Sequence, residues 1–475
     1  MKKLVLVLLV TAFISCKTDK KEETQTVEQP TKEIEAITNE MMESAVIYEA
    51  NIRQYSPEGT FNEFTKDIPQ LKQLGVKIIW LMPIFPISET KRKATGGDFA
   101  SLIEDETERN KMLGSYYAVS DFTKVNPEFG TKDDFRELVN TAHNNGIYVI
   151  LDWVPNHTGW DHTWLKTNPE FYTKNANGEI TDPLNEDGTP VGWADVADLD
   201  YDNQDLHKEM IKDLKYWITK ESIDGFRCDV AGSVPTDFWQ EAIPQLRKEK
   251  DIFLLAEAWE PELLHDNLFD MAYAWDGHHV MNAIAKGEKN LKDWDVYMKK
   301  NNERYEADDI LMNFVTNHDE NSWNGTIKER MGDASELMTA FSYMVPGMPL
   351  IYSGQEYDLN HRLKFFEKDS IPKTKRKTWK LLEKLGTLKN TNLALNGGKN
   401  PATLNRPVTS NDAILKIKRS KNGNVVTFIG NFSDKEQSIK MPEGKSLDYM
   451  ANKKMTFKEG ESLTIKPWGY KIFVE

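Results

Sequence analysis

Short apolar runs alternate with amphipathic stretches along the chain from residue 45 onward. The runs are AVIYEA (45–50), VKIIWLM (76–82), IYVILD (147–152), SIDGFRCD (222–229), IFLLAE (252–257), MAYAW (271–275), ILMNFV (310–315) and MPLIYS (348–353). Their length and apolar content suit buried strands. Between them, FNEFTKDIPQLKQLG carries Phe61, Phe64, Ile68, Leu71 and Leu74 at spacings of three and four and then Gly75, which predicts an amphipathic helix with a glycine terminator. TKDDFRELVNTAHNNG repeats the form, with Thr131 placed as N-cap, Asp134 in the capping-box position and Gly146 closing the helix. QDLHKEMIKDLKYWITK, DFWQEAIPQLRKE and ASELMTAFSYMV fill later gaps. Strand-then-helix order repeated eight times predicts an α/β protein with a (β/α)8 TIM barrel over residues 45–390. An open doubly wound sheet is the alternative, and the count of eight disfavours it.

Two connections exceed ordinary loop length. Residues 83–130 follow the second strand and residues 153–202 the third, so both belong to the C-terminal rim, where such barrels build their sites. After about Asn390 the pattern changes to AILKIKRS, NVVTFIGNF, SLDYMAN and SLTIKPWGYKIFVE, punctuated by NG, EG and EG. This predicts a C-terminal antiparallel β-sandwich over residues 391–475.

The first fifteen residues differ from everything after them. Lys2 and Lys3 precede an apolar run from Leu4 to Ile14, too short to span a membrane and the right size for a signal-peptide core. It ends in Phe13-Ile14-Ser15-Cys16, which resembles a bacterial lipobox with Cys16 as the acylated residue. Residues 16–44 are mostly polar and read as a disordered tether. Together these predict a lipoprotein anchored to a bacterial membrane, the outer one by the acidic stretch behind the cysteine, facing periplasm or cell surface.

A formal charge of −15 argues against a nucleic-acid partner and favours a neutral substrate. Most of the 13 Trp and 16 Tyr must be core, but an excess of such rings also suits stacking on sugar faces. The two cysteines, Cys16 and Cys228, provide no disulfide framework.

The strand ends carry the chemistry. They read DWVPNHT (152–158), GFRCDV (225–230), AEAW (256–259) and TNHDEN (316–321), each with a carboxylate. Residues two apart on a strand share a face, so Arg227 and Asp229 point the same way and Cys228 the other. Any one of these acids reads equally well as a helix cap or a structural ion pair. Four on one rim, with Arg227, His157 and His318, fit cleavage of a glycosidic bond, which needs one carboxyl to protonate the leaving oxygen and another to capture the cationic centre. Arg227 is expected to keep Asp229 ionised as nucleophile, while crowding by Asp229 and Asp319 raises Glu257, the acid and base.

These segments, in this order, resemble the short sequence regions of the α-amylase superfamily, glycoside hydrolase family 13; VNPEFGT (125–131) and PLIYSGQE (349–356) are similar to further landmarks. The resemblance runs from about Val46 to the C-terminus. It implies a small domain inserted after the third strand, at about 153–202, and a retaining mechanism with Asp229 as nucleophile, Glu257 as acid/base and Asp319 as transition-state stabiliser. It further implies that Tyr117, His157 and His318 bind the central sugar, that Arg227 orients the nucleophile and that Asp152 supports the site. A structural calcium is implied with ligands matching Asn156 and Asp198, although Gly232 and Ser233 replace the Lys-His pair that many α-amylases carry after the nucleophile. VADLD (196–200) favours hydrolysis of α-1,4 bonds in starch-like glucans and maltooligosaccharides, whereas Val230 suits α-1,6-acting members. An α-1,6-acting, neopullulanase-like or cyclomaltodextrinase-like enzyme or a transglycosylase is the alternative. A non-catalytic glycan-binding barrel is the alternative of another class, and the intact acidic triad disfavours it. Oligomeric state is not legible from the sequence.

Overall fold

The computed structural model describes residues 34–185 and 187–475. The leader, Cys16 and most of the tether lie outside the described residues.

The first ten described strands are β1 Val46–Ala50, β2 Val76–Leu81, β3 Tyr148–Trp153, β4 His157–Gly159, β5 Val196–Asp198, β6 Gly225–Cys228, β7 Phe253–Ala256, β8 Met271–Tyr273, β9 Ile310–Asn313 and β10 Met348–Tyr352. Eight close into a parallel barrel in the order β1-β10-β9-β8-β7-β6-β3-β2, each on one of the eight apolar runs, β3 extending one residue past its run to Trp153. The period of two sorts their side chains. Ile47, Ile78, Trp80, Ile150, Phe253, Leu255, Met271 and Met312 belong to one buried cluster, while Val46, Tyr48, Ile79, Val149 and Leu151 belong to a second that packs against the helices. The short strands β4 and β5 pair antiparallel with each other within residues 153–202, on the rim beyond β3.

Helix signals translate closely where capping agrees with periodicity. Helix Lys132–Asn144 has a complete capping box between Thr131 and Asp134, and Gln204–Lys220 spans its predicted stretch. The 61–75 stretch is not one helix. It forms Phe61–Thr65, Ile68–Leu71 and a 3-10 turn Lys72–Leu74 ending on left-handed Gly75. Pro69 lacks the N–H that would bond back to residue 65, so the helix restarts with Pro69 in its first turn while the apolar spacing continues.

The predicted tether also ends sooner than residue 44. Helix Asn39–Ser44 is capped by Thr38, and Met41 and Met42 join the cluster inside the barrel, with Ile34 and Ile37 packed against it. Tyr148, at the start of β3, donates to Glu35 O at 3.1 Å. This segment covers the end of the barrel where the strands begin, because an open barrel bottom would expose apolar side chains to water. The folded unit therefore includes residues 34–44.

The C-terminal region holds a six-stranded sheet and a two-stranded sheet, both antiparallel. Strands β11 Thr403–Asn405, β12 Ile414–Lys421 and β13 Asn424–Asn431 begin the larger one. Asn422 and Gly423, at φ 50° and 82°, form the two-residue turn joining β12 to β13, with the positive dihedrals of the hairpin type that NG favours. On β13, Phe428 faces the barrel and stacks at 5.7 Å on Phe341, whereas Ile429 faces the small sheet's Ile439 and Leu463.

If residues 34–44 are part of the fold, replacing Met41 and Met42 by alanine lowers stability by about 2 kcal/mol or more, measured by urea denaturation. A pair of neutral substitutions would return these residues to the tether.

Candidate active site

Strand β6 positions the centre of the site. Phe226 and Cys228 pack outward into the core, which turns Arg227 into the barrel mouth, where it is fully buried. Acceptors meet its guanidinium at all three nitrogens. Nη1 donates to Asp152 Oδ1 at 2.7 Å and to Asp229 Oδ1 at 2.8 Å, Nη2 to Glu257 Oε2 at 2.6 Å, and Nε to the Tyr273 hydroxyl at 3.2 Å. The ring of Trp80 lies 5.0 Å from its carbon, a cation–π contact. Three strands thus deliver carboxylates to one cation.

Asp152 braces this arrangement from below. It is fully buried, and its Oδ2 accepts from Trp80 Nε1 and from the Tyr117 hydroxyl, both at 3.1 Å. Glu257 is gripped at one oxygen: Oε2 accepts from Arg227 and also from the Val230 N–H at 2.9 Å. Val230 reaches that position in the left-handed region, at φ 38° and ψ 45°, a costly conformation for a β-branched residue. Asp319 follows β9 and is the most open of the three acids, with its side chain 37% exposed.

The second cation is His318. Its Nδ1 lies 2.5 Å from Glu49 Oε1, and its Nε2 lies 2.8 Å from the Tyr117 hydroxyl and 3.3 Å from Asp319 Oδ2. Burial works against its charge, but Asp319 and Glu49 outweigh burial and lift its pKa to about 9. At His157 burial outweighs the nearby Asp195 and pushes the pKa down to about 4, so it is neutral at ordinary pH. Tyr117 stacks against His318, 5.5 Å between rings at 24°.

Electrostatics depart from expectation in one respect. Arg227 was expected to hold Asp229 ionised and leave only Glu257 raised, but both are raised, and so is Asp319. Desolvation is the largest cause for each and acts on every carboxylate. Arg227 opposes it for Asp229 and Glu257, and His318 does so for Asp319. Asp152 reaches about 7. Five acids, including Glu49, share two cations, so the site retains protons that isolated carboxyls would release.

Every expected sugar-site residue reaches this mouth. A cavity of about 320 Å³ is lined by Tyr117, His157, Asp229, Glu257, His318 and Asp319, together with Lys93, Trp193, Asp195, Trp323 and Phe365. Lys93 and Asp195 pair at 3.2 Å and pin the loop after β2 to the segment after β3. Sequence reading missed Glu49, although it is an acid ending a strand like the other four. Trp80 and Tyr273 gave no signal, since an aromatic in an apolar run reads as core.

Asn156 and Asp198 meet where β4 pairs with β5. Leu199 N–H bonds to Asn156 O at 3.2 Å, and His157 stands opposite Asp198. Burial raises Asp198 to about 6, Thr173 opposes this, and Asp200 and Asp182 add to it. No salt bridge reaches Asp198 among the described residues. An amide oxygen and a carboxylate are hard donors suited to Ca²⁺, and a cation there would offset the buried charge. Among the described residues no group of three or more His, Cys, Asp or Glu converges there, so further donors would be neutral oxygens such as backbone carbonyls or water. At position 232 a Cβ would meet the Glu260 carboxylate, the mobile end of a side chain that would have to swing aside.

A closed parallel barrel whose rim gathers acids from several strands around one arginine defines the architecture of a barrel glycosidase. The chain belongs to the alpha-amylase family: the model of the alpha amylase catalytic domain matches residues 19–179 and 190–386. It is 27% identical over 363 residues to Alpha-amylase 3 of Dictyoglomus thermophilum, covering 66% of this chain and 64% of that protein. It is 28% identical over 332 residues to a 4-alpha-glucanotransferase of Thermotoga neapolitana, covering 63% and 67%. The crystal structure of an alpha-amylase from Lactobacillus plantarum superposes with a TM-score of 0.78 at 28% identity, covering 92% of this chain and all of that one. The chain thus spans about two thirds of the length of these curated relatives and the full length of that structure.

The raised pKa of His318 links the site to stability. Because its folded value lies above the ordinary 6.5, the imidazolium stabilises the fold fully below pH 6.5, and this contribution is lost as pH rises through about 9. The stability gap between wild type and His318→Gln is expected to shrink across that window, measured by urea denaturation at several pH values. A gap that stays constant would show that His318 does not titrate there.

Proposed function

We propose that this protein is a retaining glycoside hydrolase that cleaves α-1,4-glucosidic bonds of starch-like glucans and maltooligosaccharides. The observation that carries this reading is that Asp229 and Glu257 accept from the two terminal nitrogens of one buried guanidinium. Sharing one cation favours the short separation of a retaining pair, about 5–5.5 Å, over the wider gap that admits a water.

The two grips also assign atoms to roles. Oε2 of Glu257 is held by Arg227 and the Val230 N–H, so the transferable proton belongs on Oε1. Glu257 gives that proton to the leaving oxygen as the bond from C1 breaks. Asp229, bound to Arg227 through Oδ1, has Oδ2 to form the new bond to C1. Glu257, now ionised, takes a proton from water, which attacks C1 and releases Asp229. Asp319 and His318 hold sugar hydroxyls, while neutral His157 and the ring of Tyr117 seat the same unit.

A second reading, transfer of the glycosyl unit to another sugar, is favoured by Trp259. This indole lies two residues past Glu257, is 40% exposed and stacks at 5.8 Å on Trp275, offering an acceptor a flat face. A bound calcium held by Asn156 and Asp198 is part of the same proposal, as a brace between β4 and β5.

Asp229→Asn and Glu257→Gln should each lower turnover at least about 10²-fold, assayed as reducing ends released from starch, pullulan and maltooligosaccharides. Equal, negligible release by wild type and both variants would sink the enzyme reading, and accumulation of longer oligosaccharides from maltotriose would favour transfer. Chelation is expected to lower the melting midpoint of wild type but not of Asp198→Asn; an unmoved wild-type midpoint removes the calcium.

A further inference from the structure

The segment carrying Asp319 is held in an unusual form. Beyond β9 the chain passes through Asn317, His318 and Asp319 into a single π-helical turn, Glu320–Asn324, before the helix Ile327–Met331. Such turns are rare, pack their backbone less well than an α-helix and often mark functional sites. Here the holding group is Glu320, which is 6% exposed and faces away from the cavity. Its carboxylate lies 3.2 Å from His278 Nε2 and 3.3 Å from Arg330 Nη1, and Oε1 accepts from Asn324 Nδ2 at 2.9 Å. Its N–H donates to Asn317 Oδ1 at 2.8 Å.

Arg330 closes the frame around the turn. It donates through Nη2 to Val315 O at 2.7 Å, before the segment, and through Nε to Gly325 O at 2.9 Å, after it. Both ends of the segment and its midpoint therefore rest on one buried guanidinium. Removing Glu320 would leave the Arg330 guanidinium buried without a counter-charge, so this is a costly device for stability alone.

The turn delivers two side chains to the cavity. Asp319 immediately precedes it, and Trp323 stands within it, 52% exposed and lining the same cavity. Trp323 lies 5.0 Å from Phe365, whose ring is nearly parallel to that of Tyr117, 7° apart at 6.5 Å. Asn321 fastens the turn to the Phe365 segment by accepting from Leu363 N–H at 2.8 Å. An aromatic wall thus runs from Tyr117 through Phe365 to Trp323, and only its outer member is largely open to solvent. A pyranose presents an apolar face that such a ring can cover.

We propose that Trp323 is the stacking platform for a glucosyl unit outside the central subsite, and that Glu320 is the positioning residue that aims it, so that this turn sets chain-length preference. This rests on the α-glucan reading above.

Binding is measured by calorimetry with maltopentaose in an Asp229→Asn background. Trp323→Ala is expected to weaken affinity about tenfold, and Trp323→Phe to restore most of it. Among otherwise wild-type enzymes, the loss of kcat/KM for Trp323→Ala should be about tenfold greater on maltopentaose than on α-glucosyl fluoride, which fills the central subsite alone. Glu320→Gln should weaken maltopentaose binding and also lower kcat on the fluoride, since Asp319 shares the turn, with the melting midpoint recorded alongside. Unchanged affinity in Trp323→Ala, or equal losses on both substrates, overturns the platform. If Trp323-dependent binding persists while wild type releases nothing from any α-glucan, the hydrolase reading falls and the platform stands.

Discussion

Everything at the mouth of this barrel depends on a guanidinium kept out of water. Arg227 has no solvent to fall back on, so its cost of burial is met only while Asp152, Asp229 and Glu257 stay within hydrogen-bond reach. The converse also holds, since three buried carboxylates without that charge would repel one another and take up protons. Strand register follows from this mutual requirement. Asp152 pairs in register with Arg227 across β3 and β6, so a one-residue slip would turn the acid outward and break the cluster.

Around that fixed centre, the rim is assembled from segments that differ in how they are tied down. The loop after β2 and the segment after β3 are joined by the Lys93–Asp195 pair, whose side chains are 19% and 7% exposed. The segments after β9 and β10 are joined through Asn321 and Leu363. The two pairs are tied to each other as well, Leu113 N–H donating to Phe366 O at 2.6 Å and Thr95 Oγ1 to Glu367 Oε1 at 2.7 Å, and each contributes its own exposed tryptophan, Trp193 or Trp323.

Much of this was legible in the sequence, for identifiable reasons. Barrel strands are buried on both faces, so they appear as continuous apolar runs, and an acid ending such a run stands out. That is why Asp152, Asp229, Glu257 and Asp319 could be found, and why Glu49 should have been. Trp80 and Tyr273 could not, because a ring that supports Arg227 is indistinguishable from one that fills space. Pro69 interrupted a helix whose apolar spacing ran on through the break. Residues 34–44 read as tether because they carry few apolar side chains, yet Ile34, Ile37, Met41 and Met42 were enough to cover a barrel end. The upward shift of Asp229 was not foreseen because an ion pair shows in sequence and the depth of its burial does not.

The backbone at residue 230 has a consequence for how such a site can change. Valine there adopts a left-handed conformation that glycine would enter without crowding, and that conformation aims an N–H at Glu257 Oε2. Glycine would ease the strain in this conformation, but it would also widen the range of conformations open to the peptide. A looser residue would let the peptide rotate away from the carboxyl it now fixes. The valine thus narrows the backbone at some local cost, and the N–H on Glu257 stays where it is because that residue has few other places to go.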